Sequence, residues 1–77
     1  MGVNTTLAKM RVGQVGEISG FRESDQTVET LLQMGLTEGS LVKILRLAPS
    51  GDPIELSISG YSLSMRKADA ELVIVAV

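Results

Sequence analysis

Seventy-seven residues, 44% of them apolar and none of them cysteine or histidine, make one small domain with little room for chemistry. The missing thiols exclude disulfides, zinc–thiolate sites and thiol catalysis, and the missing imidazole removes the commonest general base and transition-metal ligand. Seven basic and nine acidic residues are scattered, for a net charge of −2, and Phe21 and Tyr61 are the only aromatic residues. A phosphate-tracking surface needs clustered cations and a single-strand platform needs aromatic rings, so no nucleic-acid partner is expected.

Met1 to Thr6 lacks the charged and apolar regions of a secretory signal. The longest apolar run, Leu72 to Val77, is far short of the roughly 20 residues of a membrane helix. The expectation is a cytoplasmic protein without direct membrane insertion, recruited to the inner face of a membrane only by a partner. A chain of this size buries roughly 60% of the surface that its unfolded form exposes. Its core is therefore thin, and some of its apolar side chains are available to a partner.

The first predicted element is a strand over Gln14 to Ser19, between Gly13 and Gly20, with Gly16 marking a bulge or a close approach. The period then changes. Val28, Leu31, Leu32 and Leu36 recur at helical spacing in a segment opening near Ser24 or Asp25, either of which can cap the first turn. Glu29 adds favourable charge early in that helix. Gly35 suits the left-handed residue that ends a helix, with Leu36 folding back on Leu31 in a Schellman motif, and the helix runs for about ten residues.

Leu41 to Ala48 predicts a second strand, with Val42 and Ile44 alternating with Lys43. Ile54, Leu56 and Ile58 give the clearest period of two, and Leu63 and Met65 repeat it. Ser50-Gly51 suits the centre of a type II turn before Pro53, and Gly60-Tyr61 a tight hairpin. Lys67 to Glu71 reads as one 3₁₀ or helical turn, and Leu72 to Val77 as a buried closing strand. About five short strands with one helix after the first predict a mainly β fold, a small SH3-like barrel spanning residues 1–77. An OB-fold is the alternative, but it places its helix between the third and fourth strands.

No nucleophile has a base beside it and no acid–base pair is apparent, so an enzyme is not expected. Glu23, Asp25 and Glu29 could gather around a divalent cation, but a solvated helix start is the simpler reading. Asp69 and Glu71 are read as solvated in the same way. Met10, Met34 and Met65 sit in apolar patterns and are assigned to packing rather than to soft-metal ligation. Asp52 is given a structural role, accepting backbone hydrogen bonds within its loop. No cofactor is called for. The segment Leu31 to Leu36 stands apart, because one narrow helix face cannot bury Leu31, Leu32, Met34 and Leu36 equally well. Either the segment packs on the core, or part of it lines a groove for another protein.

These residues carry a resemblance to the FeoA family, over Leu7 to Val75. It rests on Leu31-Leu32 with Met34-Gly35-Leu36 and Gly39, and on Val42 to Arg46. The rest lies in Ala48-Pro49-x-Gly51-Asp52-Pro53-Ile54 and Leu63-x-Met65-Arg66-Lys67-x-Asp69-Ala70. The resemblance implies an SH3-like accessory of ferrous iron uptake that binds FeoB, the membrane transporter with a GTP-binding domain. The same fold occurs as a C-terminal domain of DtxR-type repressors, but no helix-turn-helix accompanies it here. Where many relatives carry a basic residue near positions 29 to 30, this chain has Glu29 and Thr30, so no cationic contact is carried over there. The expected partner-binding residues are Leu32, Met34, Gly35 and Leu36, with Leu32, Met34 and Leu36 as apolar anchors. The alternative function is a metal-responsive module binding a divalent cation through carboxylates. Strand edges in so small a sheet also make a homodimer one expected form.

Overall fold

A computed structural model describes residues 2–23 and 26–77. Six strands form one antiparallel sheet: β1 (Asn4–Thr6), β2 (Val15–Phe21), β3 (Leu41–Leu47), β4 (Ile54–Ile58), β5 (Tyr61–Met65) and β6 (Val73–Ala76). Their order across the sheet is β1-β6-β2-β3-β4-β5. A 3₁₀ turn (Leu7–Lys9) follows β1, helix α1 (Gln26–Gln33) lies between β2 and β3, and a short helix α2 (Lys67–Ala70) leads into β6.

The mainly β reading holds, with two corrections. Among the described residues there are six strands rather than about five, and α1 follows the second strand because β1 precedes the one expected first. Asn4-Thr5-Thr6 has no apolar alternation to announce a strand; its order comes from pairing with β6, Asn4 opposite Ala76 and Thr6 opposite Ile74. β1 and β5 stand at opposite ends of the strand order and do not pair, so hydrogen bonding does not close the sheet into a ring.

Alternation decides which face is buried. Val42 and Ile44 of β3, Ile54, Leu56 and Ile58 of β4, and Val73 and Val75 of β6 are all at most 1% exposed. Leu7, Ile18, Leu31, Leu36, Met65 and Ala70 join them in a single core. Two register shifts bend the sheet around it, one between Ile18 and Gly20 against β6, the other between Ile44 and Arg46 against β4. The second leaves Leu45 as the extra, unpaired residue on the exposed side and sets Arg46 opposite Glu55. Gly16 marks a close approach rather than the bulge: a methyl group there would lie 3.2 Å from Val77 Cγ1 and 3.3 Å from the Ala76 carbonyl oxygen.

Both predicted turns are shifted by one residue. The Gly51 amide donates to the Ala48 carbonyl at 2.7 Å, so Pro49 and Ser50 occupy the centre and Gly51, with φ +85°, follows them. That is the arrangement in which proline presets the first central φ and glycine closes the turn. Between β4 and β5 the reversal is Ser59-Gly60, both at positive φ, with Ile58 paired to Tyr61. Two successive positive φ values make a type I′ hairpin, whose twist matches that of the flanking strands.

Candidate docking site at the end of the helix

Helix α1 buries Val28 and Leu31 and leaves Leu32 41% exposed. The expected caps Ser24 and Asp25 lie outside the described residues. The C-terminal end of the helix is fully defined. The Leu36 amide donates to the Leu31 carbonyl at 3.1 Å and the Gly35 amide to the Leu32 carbonyl at 3.0 Å. Those two bonds, with Gly35 at φ +100°, are the Schellman motif expected from the sequence. Leu31 and Leu36, the pair whose apolar contact accompanies such a motif, both belong to the core.

The turn is fixed from outside as well. Tyr61, at the start of β5, donates its hydroxyl hydrogen to the Met34 carbonyl, satisfying one of the acceptors that a helix end leaves open. A methyl group on Gly35 would lie 2.5 Å from the Tyr61 hydroxyl oxygen, so Gly35 is required both for its backbone and for space. After the turn, the Gly39 amide donates to the Ile18 carbonyl at 2.8 Å and the Ile18 amide to the Ser40 carbonyl at 2.9 Å. The segment leaving α1 is thereby stitched to β2. Thr37 and Ser40 close it with a hydroxyl–hydroxyl hydrogen bond of 3.0 Å.

The four residues expected to bind a partner are not equivalent. Leu36 is 0% exposed and belongs to the core; it supports the corner and presents no surface, which corrects its assignment as an apolar anchor. The Schellman turn is the physical reason, since it folds the chain back and drives the residue after the glycine inward. Leu32 is on the exposed side, Met34 is half-buried against the core, and Gly35 is half-buried beside the Tyr61 hydroxyl. Exposure alone does not single out Leu32, because Val12, Leu41 and Val3 are more exposed. What distinguishes Leu32 is a backbone held by the helix, by the turn and by Tyr61. Sequence reasoning missed Tyr61, which signalled only that a lone aromatic stands beside a hairpin.

The proline loop is organised differently. Asp52 accepts a hydrogen bond from the Lys67 amide at 3.1 Å, capping the start of α2 from fifteen residues away. Its role is structural, as expected, but the amide belongs to α2 and not to the loop. Arg46 donates from Nε and a terminal nitrogen to the two Glu55 oxygens at 2.8 and 2.9 Å. This fork holds the Glu55 carboxyl below its ordinary pKa, first through the hydrogen bond, and raises that of Arg46 for the same reason. The pair borders a shallow groove of about 270 Å³ with Leu47, Pro49 and Pro53 on its walls. Among the described residues no three acidic side chains gather so as to hold a metal ion, and Asp25 lies outside them.

A FeoA domain model matches residues 5–77. The chain belongs to the FeoA family. It is similar to the FeoA-like protein of Clostridium acetobutylicum, with 31% identity and a TM-score of 0.92 over 100% of this chain and 90% of that one. The iron(II) transport protein A of Clostridium thermocellum is 32% identical, with a TM-score of 0.90 over 95% of this chain and 45% of that one. FeoA from Stenotrophomonas maltophilia, solved with zinc and described as a prokaryotic SH3 domain protein, is 18% identical. Its TM-score is 0.83 over 94% of this chain and 89% of that one, a likeness that shows the SH3-like fold. Among the described residues no helix is long and apolar enough to cross a membrane.

Proposed function

We propose that this FeoA-family protein is a non-enzymatic accessory of ferrous iron uptake that docks on the cytosolic portion of a FeoB-type transporter through Leu32 and Met34. The observation that carries the proposal is the pinned corner after α1. There an exposed leucine sits on a backbone fixed by the Schellman bonds and by the Tyr61 hydroxyl. A rigid apolar anchor loses little entropy on binding, and binding energy is typically concentrated in a few such residues. Gly35 and Leu36 act beneath the contact surface, by shaping the turn and by filling the core. The family supports the transport context: the Clostridium thermocellum relative is described as an iron(II) transport protein, and the Stenotrophomonas maltophilia protein is put forward as a ferrous iron transport activating factor. Such an accessory changes gating or nucleotide turnover only if it binds two transporter states with different affinities.

The test is a titration of ¹⁵N-labelled protein with the cytosolic domain of a cognate FeoB, with and without a GTP analogue. Amide shifts concentrated at residues 28–36 are expected, and any nucleotide dependence identifies the preferred state. Leu32→Asp should abolish the shifts while leaving the amide spectrum of the free protein folded. Unchanged binding by that variant would rule out the corner as the docking site.

A further inference from the structure

The free edge of β5 carries an inference independent of the transporter reading. β5 is the last strand of the sheet, and among the described residues nothing pairs on its outer side. The two-residue type I′ turn makes Ile58–Tyr61 a hydrogen-bonded pair, so alternation makes Leu56–Leu63 and Ile54–Met65 hydrogen-bonded pairs too. The backbone N–H and C=O groups of Ser62 and Ser64 therefore point away from β4. Both residues are exposed, and outside the strand ladder no hydrogen bond among the described residues engages them.

The usual protections of a sheet edge are missing from Tyr61-Ser62-Leu63-Ser64-Met65. It has no charge, no proline and no bulge, whereas the interior pairs β2–β6 and β3–β4 are both interrupted. The other edge, β1, is three residues long and runs straight into the 3₁₀ turn. It offers a much shorter template.

We propose that β5 pairs antiparallel with β5 of a second copy of this chain, about a two-fold axis at Leu63. The segment is self-complementary in that register. Ser62 falls opposite Ser64 of the second copy, and Ser64 opposite its Ser62, so outward-pointing groups meet in two reciprocal hydrogen-bonded pairs. Leu63 faces its own equivalent on the axis. Arg66 falls opposite Gly60 of the second copy, so no like charges are brought together. A slip of one residue would set outward-pointing groups against inward-pointing ones. The two-fold contact also uses both copies' β5 edges and stops there, whereas pairing β5 with β1 of another copy is head-to-tail and propagates into a larger ring or a filament. An interface of one short strand from each side is small, so the dimer is a weak one.

Sedimentation velocity of the whole chain between roughly 10 µM and 1 mM should show a monomer–dimer equilibrium. Ser64→Pro, which removes an outward N–H and no bond to β4, should leave the amide spectrum folded and abolish the dimer. Charge tests the register. Ser62→Lys/Ser64→Lys sets two like pairs across the axis, while Ser62→Glu/Ser64→Lys sets two opposite pairs. The dimer dissociation constants of these two variants should differ by about tenfold, with the opposite-charge variant tighter. A monomer throughout the concentration range, larger assemblies in place of a dimer, or a dimer indifferent to these substitutions would each overturn the proposal.

Discussion

The corner after α1 and the proline loop before β4 are the two distinctive reversals of this chain, and they are held in opposite ways. The corner is local: its decisive hydrogen bonds join Leu31 to Leu36 and Leu32 to Gly35, with Tyr61 added from outside. The loop is remote. Its internal bonds run from the Gly51 amide to the Ala48 carbonyl, from the Ala48 amide to the Pro53 carbonyl and from the Ser50 hydroxyl to the Asp52 carbonyl. Beyond them, the Asp52 side chain reaches across to the start of α2 and the Arg46–Glu55 fork spans β3 and β4. The local device leaves an apolar side chain, Leu32, outside on a fixed backbone. The remote device spends its polar groups on joining elements and presents a shallow groove edged by an ion pair. A sequence motif of unusual composition can thus mark a structural joint, and the plainer stretch beside a helix end can present an apolar side chain on a fixed backbone.

The largest effect that separates the two regions should come from Gly35→Ala. It forces a Cβ into a backbone at φ +100° and against the Tyr61 hydroxyl, at a cost of about 2 kcal/mol in chemical denaturation. Adding Tyr61→Phe sharpens the point. That change removes the atom that the new methyl group meets, so part of the loss should return in the double variant. If the two losses simply add, the corner is limited by backbone strain alone.

On the loop, Asp52→Ala should cost about 1 kcal/mol, the typical size of a lost helix cap. Asp52→Asn, which keeps an acceptor oxygen, should recover most of it. Equal losses in both variants would show that charge rather than the cap geometry matters.

The smallest effect is that of pH on the Arg46–Glu55 pair. Its side chains are 73% and 36% exposed, so solvent screens the interaction and its contribution is slight. Glu55 has a lowered pKa in the folded state, so its contribution is present above its unfolded pKa and fades as pH falls through the folded one. Comparing the acid limbs of the parent and Glu55→Gln unfolding curves should show a small narrowing there. A large difference would mean that Glu55 supports more than the fork.

How much was legible follows from the range of each interaction. Alternation at Ile54, Leu56 and Ile58 and the helical spacing of Val28 and Leu31 are local patterns, and each element appeared where its pattern lay. The Schellman end was legible for the same reason, because glycine and the two leucines lie within six consecutive residues. β1 was not, since Asn4-Thr5-Thr6 becomes a strand only by pairing with β6, some seventy residues later. The turns slipped by one residue because Gly51 and Gly60 each announce a reversal without saying which position of the turn they fill.

The sequence by itself determined a mainly β fold without cysteine or histidine, its helix and how that helix ends, and the family to which it belongs. These rest on composition and on contacts between near neighbours. Only the tertiary structure decided that Leu36 is core while Leu32 is surface, that Tyr61 and Asp52 tie distant segments together, and that β5 is left as an open edge. Each of those depends on which residues far apart in the chain meet, and a one-dimensional pattern does not carry that information until the sheet has assembled.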